Sequence, residues 1–336
     1  MSFSVIIPAR NMQGTMKASL EAIFASSAAP GEVLVVDDAS TDATREIAAG
    51  FPCQIIPVAL RSGPMEPRFA GARAARYPIL VFVDADVCVR PDTFEKILRN
   101  FQDPAVHALT GILSSDKPTG SFFSDYKNFY MRHVFLKQPS ESSFLYGSLW
   151  AVRKEEMIFF RPITQPFGSL VSDSEAGIRF ARRDKKVILD HTLEVDHLKK
   201  YTMRSLLKND FVIPFLFSLM FVRYGGFGQI YKKRSFSHAS LGQTAAMAGA
   251  AGAFIFGLGA LVFHSLPLAV AAFIFVSLFY LYWLPFLAGM RGRGVVFQTK
   301  AAVLKLADSQ VMFLGMMSGF IFSLSGFFKR RGMAFR

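Results

Sequence analysis

Two short acidic segments follow apolar runs early in the chain, and their side chains are the ones best suited to chemistry. Asp37 and Asp38 are adjacent, whereas Asp84 and Asp86 are separated by one residue. Carboxylates at i and i+2 lie on the same face of a regular strand, and at a strand end the chain can turn so that both reach one ligand. Hard divalent cations prefer such oxygen ligands, and a bound cation would offset charge developing on a departing diphosphate.

Each acidic segment also has a purely structural interpretation. Ser40 or Thr41 could begin a helix as its N-cap residue, which explains the hydroxyls but not the two aspartates before them. A pair of acids with one residue between them is by itself a weak signal of a metal site. The surrounding elements must therefore decide between the two interpretations.

Apolar, β-branched runs alternate with helical stretches over residues 1–110, the pattern of buried parallel strands. The predicted strands cover residues 3–7, 32–36, 54–59 and 79–83, and the predicted helices cover residues 16–26, 42–49, 68–76 and 91–100. We expect the α/β class, with a Rossmann-like, mixed and mostly parallel sheet flanked by helices. Ligands of such sheets bind at the carboxyl ends of the strands, where these acids lie.

The positive charge of the chain is confined to its second part. The 336 residues carry a formal charge of +13, and 51% of them are hydrophobic, which excludes a disordered chain. Residues 199–336 contain 16 basic and 2 acidic side chains, whereas residues 1–198 have a net charge of −1. Because the basic part is also the apolar part, we expect an anionic membrane as partner and no nucleic acid.

The apolar segments predict three regions. We expect a soluble catalytic domain over residues 1–198, a basic aromatic interfacial segment over 199–240 and a membrane domain over 241–336, with helices at about 244–263 and 266–290 and a third apolar segment at about 309–328. The 12-residue apolar run at 211–222 is shorter than the ~20 residues that span a bilayer. The N-terminus shows no signal peptide pattern, so the first domain is expected on the cytosolic side.

The basic residues also indicate how the third segment lies. Cations after the helical hairpin agree with a return to the cytosol, and a third crossing would put the basic tail outside. We therefore expect the third segment to be re-entrant or interfacial, or a further crossing elsewhere in the chain to compensate for it. The protein is expected in the plasma membrane, or in the inner membrane of a bacterium.

The segments VIIPARN, VLVVDDASTD and GPMEPRFAGARAARYPILVFVDAD occur in this order. Over about residues 1–200 the chain resembles the inverting family-2 glycosyltransferases with the GT-A fold, in which a membrane-anchoring tail is common. The resemblance implies a nucleotide-sugar site formed by Pro8, Ala9, Asn11, Asp37, Asp38, Arg68, Asp84 and Gly147. It also implies that Asp86, Asp84 and His197 bind Mn²⁺ or Mg²⁺.

The same resemblance implies a catalytic base near residue 173. The family places an Asp after a Glu, just before a helix ending in Arg, and Asp173 matches that Asp while Ser172 replaces the Glu. Glu175 is the alternative base, and Asp173 could also be the N-cap residue of that helix. The base would deprotonate the acceptor hydroxyl opposite the leaving group.

The Q-x-x-R-W motif of the polymer-forming members is not found, so the implied reaction adds one sugar to a lipid or lipid-linked acceptor of the cell envelope. UDP is the first nucleotide expected. Two alternatives remain at this point. A sugar nucleotidyltransferase would need a glycine-rich phosphate loop, but residues 9–14 contain one glycine. A non-catalytic membrane scaffold or transporter component would have no use for the acidic pairs.

Overall fold

The structure, a computed structural model, describes residues 1–58, 65–160, 171–226, 228 and 235–325. The chain divides into two compact units, Met1–Lys200 and Tyr201–Arg336. The predicted loop cations at 232–234, the basic tail after residue 328 and the end of the third apolar segment lie outside the described residues.

The first unit is built on a mixed sheet with nine strands in its described part. These strands are β1 (Phe3–Ala9), β2 (Glu32–Asp37), β3 (Gln54–Pro57), β4 (Ile79–Val83), β5 (Val87–Val89), β6 (Val106–Leu113), β7 (Glu141–Ser142), β8 (Leu149–Arg153) and β9 (Lys186–His197). Their order is β3-β2-β1-β4-β8-β6-β9-β5, and β7 pairs with β9. The first four are parallel, β8 runs antiparallel to β4 and β6, and β9 is parallel to β6. The predicted α/β fold class is confirmed.

Burial explains why the parallel strands are continuous apolar runs. All five side chains of β4 are at most 1% exposed. In β1, Val5 and Ile7 pack into one core while Ile6 packs into the core on the opposite face. Because neither face of such a strand is exposed to water, its sequence does not alternate between apolar and polar residues and is apolar throughout.

Six helices pack on this sheet among the described residues. They are α1 (Met16–Phe24), α2 (Thr44–Ala49), α3 (Met65–Ala74), α4 (Thr93–Asn100), α5 (Phe122–Leu136) and α6 (Ser172–Ala181). The core on one face contains side chains of α1, α2 and α4, and the core on the other contains side chains of α3 and α6. The four helices predicted before residue 110 are confirmed.

The second unit is helical. Its long helices are α7 (Met203–Arg223), α8 (Leu241–Phe263), α9 (Leu266–Ala288) and α10 (Val295–Leu324), and a small hairpin of β10 (Ser235–Phe236) and β11 (Ala239–Ser240) precedes α8. All four helices are long and apolar enough to cross a membrane, judged by length and composition. The predicted hairpin is confirmed as α8 and α9, which Ser265 and the left-handed His264 (φ 47°) connect.

Two predictions for this unit need correction. The run at 211–222 is part of the 21-residue helix α7, because Thr202 and Ser205 form a capping box that starts the helix well before the apolar run. Residues 309–324 of the third apolar segment belong to the continuous 30-residue helix α10, and this part does not turn back as a re-entrant segment would. A helix of that length is about 45 Å long.

Candidate active site

The carboxyl ends of β1 and β2 form the first part of the candidate site. Ala9 pairs with Asp37, and the N–H of Asp38 donates to the carbonyl of Ala9 at 2.8 Å. The Asp37 side chain is fully buried and accepts hydrogen bonds from the Ser40 N–H at 3.2 Å and the Arg45 Nε at 2.6 Å. Asp37 therefore anchors the turn after β2.

Asn11 ties this turn to the loop after β1. Its φ of 52° lies in the left-handed region, which Asn tolerates better than most residues. The Asn11 Oδ1 accepts from the Thr41 N–H at 2.9 Å, and the Asn11 N–H donates to the Ser40 Oγ at 3.0 Å. The loop after β1 and the turn after β2 thus lie side by side, and the two strand ends and these loops carry Pro8, Ala9, Asn11, Asp37 and Asp38.

Arg68 is a positively charged residue at the end of β4. It lies in α3 and is 4% exposed. Its Nη2 forms an ion pair with Asp84 Oδ1 at 2.6 Å and lies 3.4 Å from the Gly147 carbonyl. One helical turn later, Gly71 packs directly against Ile6, with no room for a Cβ, so α3 can lie close enough to the sheet to place Arg68 there.

Gly147, just before β8, is the point at which three charged residues meet. Its N–H donates to Asp173 Oδ2 at 2.5 Å. A Cβ on Gly147 would lie 3.1 Å from Asp173 Oδ2, 3.6 Å from Arg68 Nη2 and 3.7 Å from Asp84 Oδ2. Residues far apart in sequence therefore face one small space.

Asp173 lies in the first turn of α6, where a carboxylate interacts favourably with the helix dipole. Burial raises its pKa above the usual range, while the charge of Arg68 and hydrogen bonds from the Ser174 and Gly147 backbone act in the opposite direction. The alternative acid, Glu175, is 5% exposed and forms an ion pair with Arg179 on the same helix at 3.2 Å. Of the two acids, Asp173 is the one that contacts Gly147.

Asp84 and Asp86 have opposite electrostatic surroundings. Burial raises the pKa of Asp84 to about 6, and the neighbouring Asp86 and Asp173 charges add to this while Arg68 opposes it. Burial would also raise the pKa of Asp86, but the hydrogen bond and charge of His197 and the charge of Lys199 hold it below the usual range.

His197 ends β9 and pairs with Val87, which places it beside the turn after β4. Its Nε2 lies 3.7 Å from Asp86 Oδ1, and its Nδ1 lies 3.3 Å from Asn128 Oδ1. The predicted metal ligands are thus only partly gathered, because Asp86 faces His197 whereas Asp84 pairs with Arg68. Among the described residues, no three His, Cys, Asp or Glu side chains are grouped closely enough to hold a metal ion.

Sequence reasoning did not identify Asn128. It lies in α5, in a segment for which the sequence predicted no element, and 69 residues separate it from His197. A single Asn between Lys127 and Phe129 has no sequence pattern that would mark it. Only the packing of α5 against β9 brings it to the site.

Three kinds of comparison show which known proteins this chain resembles. Residues 4–158 match the model of Glycosyl transferase family 2. An uncharacterized glycosyltransferase of Haemophilus influenzae is 33% identical over 97 residues, which are 29% of this chain and 33% of that protein. The succinoglycan biosynthesis protein ExoO of Rhizobium meliloti is 33% identical over 96 residues, 28% of each chain. These alignments span a third or less of the curated relatives.

A solved structure also shares the fold. The mannosyltransferase PcManGT from Pyrobaculum calidifontis, solved in complex with GDP-Man and Mn²⁺, aligns with 96% of this chain and 86% of its own, at 17% identity and a TM-score of 0.54. The sheet and its flanking helices therefore have the GT-A fold. The residues that match the family model, 4–158, lie within the first unit of this chain.

Proposed function

We propose that this protein is a membrane-anchored, inverting glycosyltransferase that moves one sugar from a nucleotide-sugar donor to a lipid or lipid-linked acceptor. The observation that carries the proposal is the meeting of Arg68, Asp84 and Asp173 around Gly147. One sugar-sized ligand could then contact the Asp173 carboxylate, the buried Arg68 guanidinium and Asp84 at the end of β4. The match of residues 4–158 to the model of Glycosyl transferase family 2 supports the reaction class.

The donor nucleotide would bind at the ends of β1 and β2. Asp38 is the candidate for contact with the base, and Pro8 and Ala9 would line the same region. Asn11 and Asp37 shape the two loops through their own hydrogen bonds. Arg68 is placed to contact the diphosphate, since a guanidinium matches phosphate geometry. A UDP-sugar is the first donor to test, and a GDP-sugar the second, because PcManGT was solved with GDP-Man.

The residues at the end of β4 fit a divalent cation, Mn²⁺ or Mg²⁺. Asp86 and the His197 Nε2 offer two ligands, and such ions are commonly held by one or two carboxylates together with substrate phosphates. Asp84 would join them if the bound donor drew Arg68 away. The cation would offset the charge on the departing nucleoside diphosphate.

Asp173 is the proposed general base. Its carboxylate is oriented by the Gly147 N–H and by its position at the start of α6. Deprotonating the acceptor hydroxyl from the side opposite the diphosphate would invert the configuration at the anomeric carbon. The raised pKa brings the base closer to the proton affinity that such a step needs.

Features of the second unit support the proposal that the hairpin of α8 and α9 enters the membrane from the cytosolic side. Its large apolar side chains near the tip, such as Phe263 and Leu266, are 74% and 75% exposed. Polar contacts of α10 with the hairpin involve the opposite end: Gln298 with the Leu287 carbonyl, Tyr280 with the Ala302 carbonyl and Gln310 with the Ala250 carbonyl.

The basic residues favour the same topology. If only the hairpin crosses, all 16 basic side chains of residues 199–336 lie on one side, in agreement with the positive-inside bias. Three crossings would place the basic tail on the other side. Four would place there both the cations after α7 and those between α9 and α10. We therefore propose that α7 and α10 lie along the membrane surface, with the first unit in the cytosol.

The test is sugar transfer from radiolabelled UDP- and GDP-sugars to lipid extracts by the purified full-length protein. We expect product only with Mn²⁺ or Mg²⁺ present, with the anomeric configuration of the donor inverted by NMR. Asp86→Ala should abolish transfer while the protein remains folded in membranes. Transfer by that variant at the wild-type rate, or retention of configuration, would overturn the proposal.

A further inference from the structure

The buried side chain of Asn128 contacts His197 twice. The Asn128 Nδ2 donates to the backbone carbonyl of His197 at 3.3 Å, and its Oδ1 lies 3.3 Å from the His197 Nδ1. The two residues are 6% and 8% exposed, so water does not compete freely for either contact. One amide thus holds both the backbone and the ring of the same histidine.

The backbone contact decides how the amide is oriented. A carbonyl oxygen only accepts hydrogen bonds, so the amide nitrogen must face the His197 carbonyl and the amide oxygen must face the ring. An oxygen facing Nδ1 is satisfied when Nδ1 carries a hydrogen. In the neutral imidazole the lone pair is then on Nε2, the atom that faces Asp86 at 3.7 Å.

We infer that Asn128 is a positioning residue that holds His197 in the tautomer and ring orientation of a metal ligand. The inference rests on the proposed function, in which His197 and Asp86 bind a divalent cation. A histidine that binds a metal commonly donates its other ring N–H to a fixed acceptor, which sets the tautomer and increases the basicity of the ligating nitrogen. Asn128 supplies that acceptor from α5.

A purely structural role for Asn128 has a different consequence. If the amide only connects α5 to β9, its loss lowers the stability of the protein but leaves the affinity of the folded site for metal unchanged. Metal affinity, measured apart from activity, therefore separates the two roles. Rescue by a side chain that keeps the acceptor but not the donor separates them further.

The experiment is a titration of the full-length protein in detergent with Mn²⁺, followed by water-proton relaxation, together with thermal unfolding without metal. Asn128→Leu, which removes the acceptor, should weaken Mn²⁺ binding about 10–100-fold, the usual cost of losing such a partner. Asn128→Asp keeps an oxygen facing Nδ1 and should bind Mn²⁺ within a few fold of wild type. Asn100→Leu is the matched control, because Asn100 lies on α4 and its side chain donates to Asp190 of β9 and to the Lys96 carbonyl.

The outcomes distinguish this inference from the proposed function. If the wild type binds no Mn²⁺, or if His197→Ala binds it as tightly as the wild type, the metal site itself is wrong. If His197→Ala weakens binding but folded Asn128→Leu does not, only the role of Asn128 is wrong. Should Asn128→Leu fail to fold, Asn128→Ala, which also removes the acceptor, decides: a loss of about tenfold or more in Mn²⁺ affinity supports the inference, and a smaller loss overturns it.

Discussion

The carboxyl ends of β2 and β4 each carry two aspartates, but the two strand ends surround them differently. At the end of β2, Asp37 is fully buried and held by the Ser40 N–H and by Arg45. At the end of β4, Asp84 faces Arg68 and Asp86 faces His197. The first arrangement fixes a turn, whereas the second gathers charges that come from separate elements.

The pKa values show the same difference. Near the end of β2, burial would raise the pKa of Asp42, but hydrogen bonds from Thr44 and Gln13 lower it, as is usual for an acid that stabilises a loop. At the end of β4, burial raises the pKa of Asp84 to about 6. Acids whose ionisation the fold disfavours are concentrated at functional sites, because a ligand can supply the missing stabilisation.

The largest expected effect concerns the base near the β4 end. Asp173→Asn should lower kcat by about 10²–10⁴-fold, the usual contribution of a general base, with a thermal midpoint close to wild type. Steady-state kinetics of sugar transfer and thermal unfolding measure the two quantities. Glu175→Gln, in the same helical turn, is the control and should retain most of the activity. The reverse pattern would assign the base to Glu175.

A second prediction concerns the space that Gly147 leaves open. Gly147→Ala places a Cβ 3.1 Å from Asp173 Oδ2, which should displace that carboxylate and lower kcat about tenfold or more, since a 1 Å misplacement can cost about 10²-fold. Gly14→Ala, in the loop after β1, adds a Cβ with nothing within 4 Å and should leave kcat unchanged. Equal effects in the two variants would show that the convergence at Gly147 is not functional.

A third prediction compares the strand ends by stability. Asp37→Asn should lower the free energy of unfolding by about 1–3 kcal/mol, because it removes the buried negative charge that pairs with Arg45. Asp84→Asn should cost much less at pH 7.5, since the fold already disfavours the charged form of Asp84. Denaturant titration measures both. A larger loss for Asp84→Asn would mean that Asp84 is mainly structural.

The smallest expected effect is on the pH dependence of stability without metal. Because the folded pKa of Asp84 is raised to about 6, its contribution to stability is full below the unfolded value and is lost as pH rises through 6. The thermal midpoint of Asp84→Asn, relative to that of the wild type, should therefore rise as the pH increases from 4 to 7. Asp42 has a lowered pKa, so its contribution is lost only in more acidic solution.

Thermal unfolding at several pH values checks this difference. The cost of Asp42→Asn should be constant from pH 5 to 7.5, whereas the relative gain of Asp84→Asn should change over the same range. Parallel pH profiles for the two variants would contradict the contrast between the strand ends.

The N-terminal half of the sheet was predictable because its signal is local. A strand buried on both faces, such as β4, must be apolar at every position, and this is visible in five consecutive residues. The strands after residue 105 were not predicted individually. One of them, β8, lies antiparallel between β4 and β6, and no short segment of sequence specifies such a pairing.

The helical unit shows the same limit. The α8–α9 hairpin was predicted because two long uncharged runs have few alternatives. The length of α7 was not, because its first turns are polar and a hydropathy pattern records only the apolar part. Its close packing on α10, where Gly315 contacts Phe211 and Gly319 contacts Phe215, depends on residues about a hundred positions apart.

The sequence by itself determined the fold class, the charge asymmetry, the membrane hairpin and the residues able to do chemistry, because each depends on composition or on spacing within a short segment. The tertiary structure alone decided which residues contact one another in the candidate site. It paired Asp84 with Arg68, directed Asp173 at Gly147 and set Asn128 behind His197. Such contacts follow from the packing of whole helices and strands, so no local pattern of residues can specify them.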